Sequence, residues 1–272
     1  MQLKAPIGNY ARLRVQAQQI AARLAICIFA LPVKREVDTM DFDSASRTRS
    51  VAALLTSSGG FLDAFAYVGH GGVFANTMTG NVALLGIHIA AGDWARAGRH
   101  IPPLIAFVFA VFVVHLLRLD ALAPSVRRPA LVCLLLEIAF LAMAASGLVG
   151  DSDVWLIPGI SFVATLQTLS FTHIENLTYT SVMTTGNLRR AAKKLLEAFI
   201  PNYNRTALHD ASLLGMAGFC FFAGAVFGGV TTRMLHGRAL WLAVLLLVAA
   251  LVQIGRLVRQ RGDRPAAQNR AE

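Results

Sequence analysis

Two stretches decide the fold, Met78-Thr79-Gly80-Asn81 and Thr184-Thr185-Gly186-Asn187. Each follows a broken apolar segment and leads through Thr-Gly-Asn into a helical pattern, Val82 to Ala91 and Leu188 to Ile200. Glycine relaxes the backbone at such a place, and Thr and Asn can hydrogen-bond the free amides that open a helix. The copies lie 106 positions apart, so the chain is expected to contain two helix starts of one design.

The surroundings are those of a membrane protein. Of 272 residues, 56% are hydrophobic and 15% charged, where soluble domains carry about a quarter charged. Crossing a bilayer takes roughly 20 apolar residues, and six windows approach that length: Val51–Tyr67, Ile101–Leu119, Ala130–Val149, Trp155–Thr172, Ser212–Val230 and Leu240–Leu257. A seventh, Val73–Ala91, is interrupted by Asn76, Thr77, Thr79 and Asn81. Cys27, Cys133 and Cys220 stand singly, as packing residues rather than a zinc site or disulfide framework. The net charge of +10 calls for no nucleic acid, because the positive-inside bias of membrane proteins accounts for it.

Charge sets the expected topology. With six spans and both Thr-Gly-Asn segments partial, both termini lie inside; the inner loops then hold 21 Lys and Arg and the outer loops four, Arg96, Arg99, Arg233 and Arg238. Eight spans would place Arg189, Arg190, Lys193 and Lys194 in or near hydrocarbon, at about 2.5 to 3.5 kcal/mol each at a helix centre. Seven spans remain open if the basic head lies outside. Trp94, Trp155 and Trp241 stand at segment ends, as interfacial aromatics do.

The expected fold is therefore an all-α polytopic membrane protein of about six spans plus two shorter Thr-Gly-Asn helices. Residues 1–50 form a basic head, 51–258 the membrane domain and 259–272 a basic cytoplasmic tail. The first 39 residues are either a mobile surface segment or a product of a start codon upstream of Met40. Residues 51–149 and 155–258 share one plan, with Leu62-Asp63-Ala64 aligned to Leu166-Gln167-Thr168. Three crossings per half make the repeat inverted, the construction of many secondary transporters.

Candidate site residues follow from this plan. Asp63 and Glu137 lie within spans, where ionisable groups usually face a cavity, a partner or a proton path; with His115 they are the candidates for proton coupling, or they only bond neighbouring helices. Asn76, Thr79, Gly80, Asn81, Gln167, Thr185, Gly186 and Asn187 join Asp63 as candidate solute-binding groups, since helix starts offer amides and a positive dipole end. Arg189, Arg190, Lys193 and Lys194 sit on an amphipathic pattern expected to lie in the inner interface against anionic lipid. Gly224 and Gly228 make a small-xxx-small packing pattern. His-Glu-x-x-His, Gly-x-Ser-x-Gly and lysine-bearing phosphate loops are absent, so an enzyme is not expected and no cofactor is implied.

The run Gly60-Phe61-Leu62-Asp63-Ala64, continued by Phe74 and Met78-Thr79-Gly80-Asn81 and joined by the second Thr-Gly-Asn, resembles the YoaK family of bacterial membrane proteins, a domain of unknown function. The resemblance covers roughly residues 50 to 257 and implies a multi-pass protein of the bacterial inner membrane without an assigned activity. It names no substrate. The expected function is a secondary transporter or permease for a small polar or anionic solute, with proton coupling through Asp63 as one option. The alternative is a non-transporting scaffold or sensor whose basic inner face binds lipid or a partner.

Overall fold

The computed structural model describes residues 37–117, 128–149 and 153–268, with side chains between Phe42 and Gln260. The head up to residue 36, including Cys27, lies outside the described residues, as do Arg118, Arg127 and Asp151. The described chain is helical apart from one small hairpin. Its elements are α1 (Val37–Ser46), α2 (Arg49–Gly69), α3 (Met78–Ala90), α4 (Trp94–Arg99), α5 (Ile101–Leu117), α6 (Pro129–Ala145), α7 (Asp153–Ser170), β1 (His173–Ile174), β2 (Leu177–Thr178), α8 (Thr184–Glu197), α9 (Arg205–Leu235) and, after a 3-10 turn at His236–Ala239, α10 (Leu240–Gln268).

Each apolar window carries one helix: α2, α5, α6, α7, α9 and α10. By length and apolarity alone, three stretches can cross a membrane: Arg49–Gly69, Trp94–Leu117 and Arg205–Gln260. The turn at His236, whose φ is 52°, breaks the last of these into α9 and α10. Pro129–Ala145 is apolar but has 17 residues, and α7 is diluted by Ser161, Thr165, Gln167 and Thr168.

Contacts at the helix ends fix the directions. Arg49 meets His209 near the start of α9, and Gly69 lies against Thr232 near its end, so α2 and α9 are parallel. His70, just past α2, pairs with Asp153 at the start of α7, while Glu175, just past α7, pairs with Arg49; these two helices are antiparallel. On α6 and α7 the order Cys133, Phe140 opposes Leu166, Gly159. Arg99, before α5, lies at Gly71, and Gln253 of α10 reaches Ser50. Helices α2, α6 and α9 thus point from an Arg49 end to a His70 end, and α5, α7 and α10 point back.

Lipid tails are as apolar as leucine, so burial of apolar surface does little to hold such helices together; close backbone packing does more. At the crossing of α2 and α9, a Cβ added at Gly60 would fall on the carbonyl oxygen of Phe221, and one at Gly224 on that of Ser57. One at Gly228 would stand 2.6 Å from the carbonyl oxygen of Phe61. The small-xxx-small reading of Gly224 and Gly228 therefore describes the contact. Helix α5 crosses α7 in a comparable way, through Ala110 and a Phe109–Phe162 ring pair at 5.6 Å. Helix α6 lies on α7, α10 on α2, and α6 on α10. Phenylalanines and leucines of α2, α6 and α10, among them Phe61, Phe65, Leu134 and Leu247, fill the space between. Outward faces stay apolar, as at Ile105, Phe112, Phe219 and Phe222.

Gly60→Ala is expected to destabilise the protein by about 1 to 3 kcal/mol, the usual penalty for overpacking against backbone. Gly215→Ala, where an added Cβ meets nothing within 4 Å, should leave stability unchanged or raise it. Thermal unfolding of the purified protein in detergent, followed by tryptophan fluorescence, measures both.

Candidate functional site

The first site element is the loop after α2. Gly71 and Gly72 have φ of 79° and 80°, a left-handed conformation that glycine adopts freely and that turns the chain back on itself. Phe74 then stacks on Tyr67 at 4.8 Å. The Asn76 N–H donates to Asp63 Oδ1 at 2.6 Å, and Asn76 Nδ2 donates to the Gly59 carbonyl at 3.2 Å. The Thr77 N–H donates to Asp63 Oδ1 at 3.3 Å and its hydroxyl to Asp63 Oδ2 at 2.5 Å. Asp63 lies six residues before the end of α2 and Gly59 ten, or about 9 and 15 Å at 1.5 Å per residue. The loop therefore returns to the middle of α2 before α3 begins.

The second element is the segment after α7. It forms the β1–β2 hairpin, paired His173 to Thr178 and Ile174 to Leu177, at the Arg49 end. From there it turns inward, and Ser181 Oγ lies 3.2 Å from Thr168 Oγ1. Val182 Cγ1 then comes within 2.8 Å of the position a Cβ on Gly59 would take. The two tips approach α2 from opposite ends and reach the same residue, which has to be glycine for Val182 to fit.

The asparagines of the repeated motif close the tips. Asn81 takes the Phe74 N–H on Oδ1 at 2.9 Å and donates Nδ2 to the Phe74 carbonyl at 2.8 Å. Asn187 does the same with Thr180, at 3.4 and 2.7 Å. A carboxamide offers an acceptor and a donor side by side, so one side chain satisfies both polar groups of a buried backbone unit. This corrects the expected capping role. The N-cap residues are Thr77 and Met183, neither of which caps through its side chain, and each asparagine lies within the first helical turn and reaches back seven residues.

Other candidate residues are placed as follows. Asp63 is buried, and its carboxylate occupies the start of α3, where a bound anion was anticipated. Gly80 packs on the Phe74 ring, while Thr79, Thr185 and Gly186 are exposed. Gln167 is buried and its Nε2 has no partner among the described residues, as is true of Asn76 Oδ1, Ser58 Oγ and Thr184 Oγ1. The partner of Ser181 is Thr168, 13 residues before it, the same separation as Asp63 from Asn76.

Glu137 is buried between α6 and α7, with Oε2 unpartnered among the described residues, and His115 is exposed on α5. No hydrogen bond joins Asp63, Glu137 and His115 among the described residues. His115 fails to join because the face of α5 that packs on α7 carries Ala110 and Val114 instead. His100, which no sequence pattern singled out, is buried with Nδ1 3.3 Å from Asn81 Oδ1. No cluster of His, Cys, Asp and Glu suited to a metal occurs among the described residues.

Helix α8 packs on α9: Thr184 stands beside Gly218, the Ala198 carbonyl accepts the Asn204 N–H, and Ala191 packs with Leu213, Leu214 and Ala217. It is thus laid along the first half of α9, because alanines and glycine on the facing sides allow a close approach. Arg190 bonds the Thr178 carbonyl, and Lys194 pairs with Glu197 at 3.1 Å and Asp210 at 3.7 Å. Arg189 and Lys193 are exposed beside Leu188, Leu195 and Leu196.

Asn81→Ala is expected to remove both part-buried hydrogen bonds to the Phe74 backbone, at about 0.5 to 1.5 kcal/mol each; faster amide exchange confined to residues 73–81 in hydrogen–deuterium exchange checks it. The family model described as "Protein of unknown function (DUF1275)" matches residues 51–253. No curated protein and no solved structure matches the chain. The matched stretch takes in α2, both tips, both asparagines and the helices that carry them, and the chain belongs to the DUF1275 family.

Proposed function

We propose that the protein is a secondary transporter or permease for a small polar or anionic solute, built from two inverted halves that each cross the bilayer three times. The observation that carries the reading is the meeting of two re-entrant tips, from opposite ends, at Gly59. The packing pattern supports the repeat. Exchanging α2 with α7, α3 with α8, α5 with α9 and α6 with α10 turns the α2–α9 contact into α7–α5 and the α10–α2 contact into α6–α7, and leaves α6–α10 unchanged. Arg47, Arg49, Arg189, Lys193 and Arg256 gather toward the Arg49 end, which the positive-inside bias assigns to the cytoplasm of a bacterial inner membrane.

Asp63 supplies the coupling. As a carboxylate it accepts three hydrogen bonds from the first tip. A protonated carboxyl has less acceptor capacity and adds a donor that must find its own partner, so proton binding loosens the tip. The second tip is held by Thr168 and Ser181, which carry no charge, so this coupling acts on one tip only. An anionic solute fits beside Asp63 only when that group is neutral, which makes anion entry and proton binding one event. Gln167 Nε2, Ser58 Oγ and Thr184 Oγ1 are buried donors without a partner among the described residues and suit an anion, while Asn76 Oδ1 is an acceptor for a hydroxyl or N–H of the solute.

A second reading, a lipid-anchored scaffold or sensor, is favoured by the exposed Arg189 and Lys193 beside the apolar edge of α8. Proteoliposome uptake with and without a proton gradient separates the two, using a panel of radiolabelled small carboxylates, phosphate, sulfate and neutral polar solutes. For any solute the wild type accumulates, Asp63→Asn is expected to abolish the response to the gradient, while Arg189→Gln with Lys193→Gln leaves it. Unchanged pH dependence in Asp63→Asn contradicts the coupling, and accumulation of none of the panel by the wild type favours the scaffold.

A further inference from the structure

Each re-entrant loop is tied, at the end of the bundle where it begins, to the first turn of the other half's leading helix. At one end His70 Nδ1 lies 2.6 Å from Oδ1 of Asp153, the first residue of α7. At the other, Glu175 Oε1 accepts Arg49 Nε at 2.6 Å, and Arg49 is the first residue of α2. Glu175 Oε2 lies 2.9 Å from His209 Nε2, and the Glu175 N–H donates to the Arg47 carbonyl at 2.6 Å. The roles are exchanged between the ends: the loop supplies the base and the helix the acid at one, the loop the acid and the helix the base at the other.

We infer that these two ties are the gates of the passage, His70–Asp153 closing one end and Arg49–Glu175–His209 the other, with the opening of one favouring closure of the other. The inference rests on the inverted-halves reading above. Helix α2 carries Arg49 at one end and leads into His70 at the other, about 31 Å apart along 21 residues. Between them Gly60 is pressed on the backbone of α9. A rigid helix held at its middle moves its two ends in opposite directions when it tilts, so relaxing one tie tightens the other.

The ties also have the right strength. Arg49, Glu175 and Asp153 are each at least 40% exposed and His70 is the more covered partner; polar pairs with such an exposed member hold weakly enough to break in each cycle. Glu175 nevertheless keeps its charge well, because hydrogen bonds from His209 and then Arg49 hold its carboxyl below the usual carboxylate range. Among the described residues a further charged group at the His70 tie is Arg99, whose guanidinium lies at Gly71; Lys194 and Asp210 form a neighbouring pair at the opposite end.

The test reads opening without any solute. The full chain, with Cys27, Cys133 and Cys220 replaced by serine and Val182→Cys as reporter, is placed in proteoliposomes and labelled from each side with a membrane-impermeant maleimide. Asp153→Asn is expected to raise labelling from the His70 side about twofold to fivefold, and Glu175→Gln from the Arg49 side by a similar factor, as loss of an exposed pair predicts. Arg49→Glu combined with Glu175→Arg should return labelling to the starting level. If Val182→Cys does not yield monodisperse protein, Thr184→Cys serves as reporter. An increase from the same side in both variants, or no change in either, overturns the inference. A failed uptake assay would instead overturn the transport reading and leave reciprocal labelling standing.

Discussion

A polypeptide loop that re-enters a bilayer must find partners for its own amides and carbonyls, because hydrocarbon offers none. That constraint explains most of what is unusual here. Asp63 takes two amides and a hydroxyl of the first tip, Asn76 takes the Gly59 carbonyl, and Asn81 and Asn187 each satisfy a whole backbone unit seven residues back. Once those groups are paired inside the protein, the tips can rest on the middle of α2. Without them, each loop would stay at the surface and α2 would be an ordinary spanning helix.

From this follows the division of labour along α2. Its glycines, Gly59 and Gly60, admit Val182 on one side and the backbone of Phe221 on another, so the centre of the helix is packed without slack. Its ends carry the Arg49–Glu175 ion pair and the His70–Asp153 contact instead. A helix tightly held in the middle and loosely held at both ends is suited to rocking, and Asp63, in its middle, bonds directly to the first tip. In the proposed function the charge of that carboxylate and the tilt of the helix are therefore linked variables.

The sequence disclosed some of this and hid the rest for definable reasons. The six apolar windows are visible because each is a continuous run, and all six carry helices. The duplicated Thr-Gly-Asn is visible because it repeats locally, and both copies do begin short helices. The work of the asparagines was not visible, since a ring closed on a residue seven positions back leaves no periodic signal. The alignment of Leu62-Asp63-Ala64 with Leu166-Gln167-Thr168 does not reveal which side chain meets the second tip, because that depends on the path of the loop; in the structure Thr168 meets Ser181. The lysines and arginines of α8 are conspicuous in the sequence, whereas the packing of Ala191 on Leu213, Leu214 and Ala217 of α9 is a tertiary contact that no local pattern marks. His115 drew notice only as a histidine in an apolar helix, whereas His100, next to the tips, stands in an unremarkable loop context.

The central claim is that the two short helices run from a shared depth to opposite surfaces. Sidedness at their far ends measures this most directly, with single cysteines at exposed Ala91 and Phe199 in a background lacking Cys27, Cys133 and Cys220, labelled by an impermeant thiol reagent in cells and in inverted vesicles. Labelling of Ala91→Cys from one face only and of Phe199→Cys from the other only is the predicted result. Labelling of both from the same face would contradict the inverted arrangement and the gating built on it.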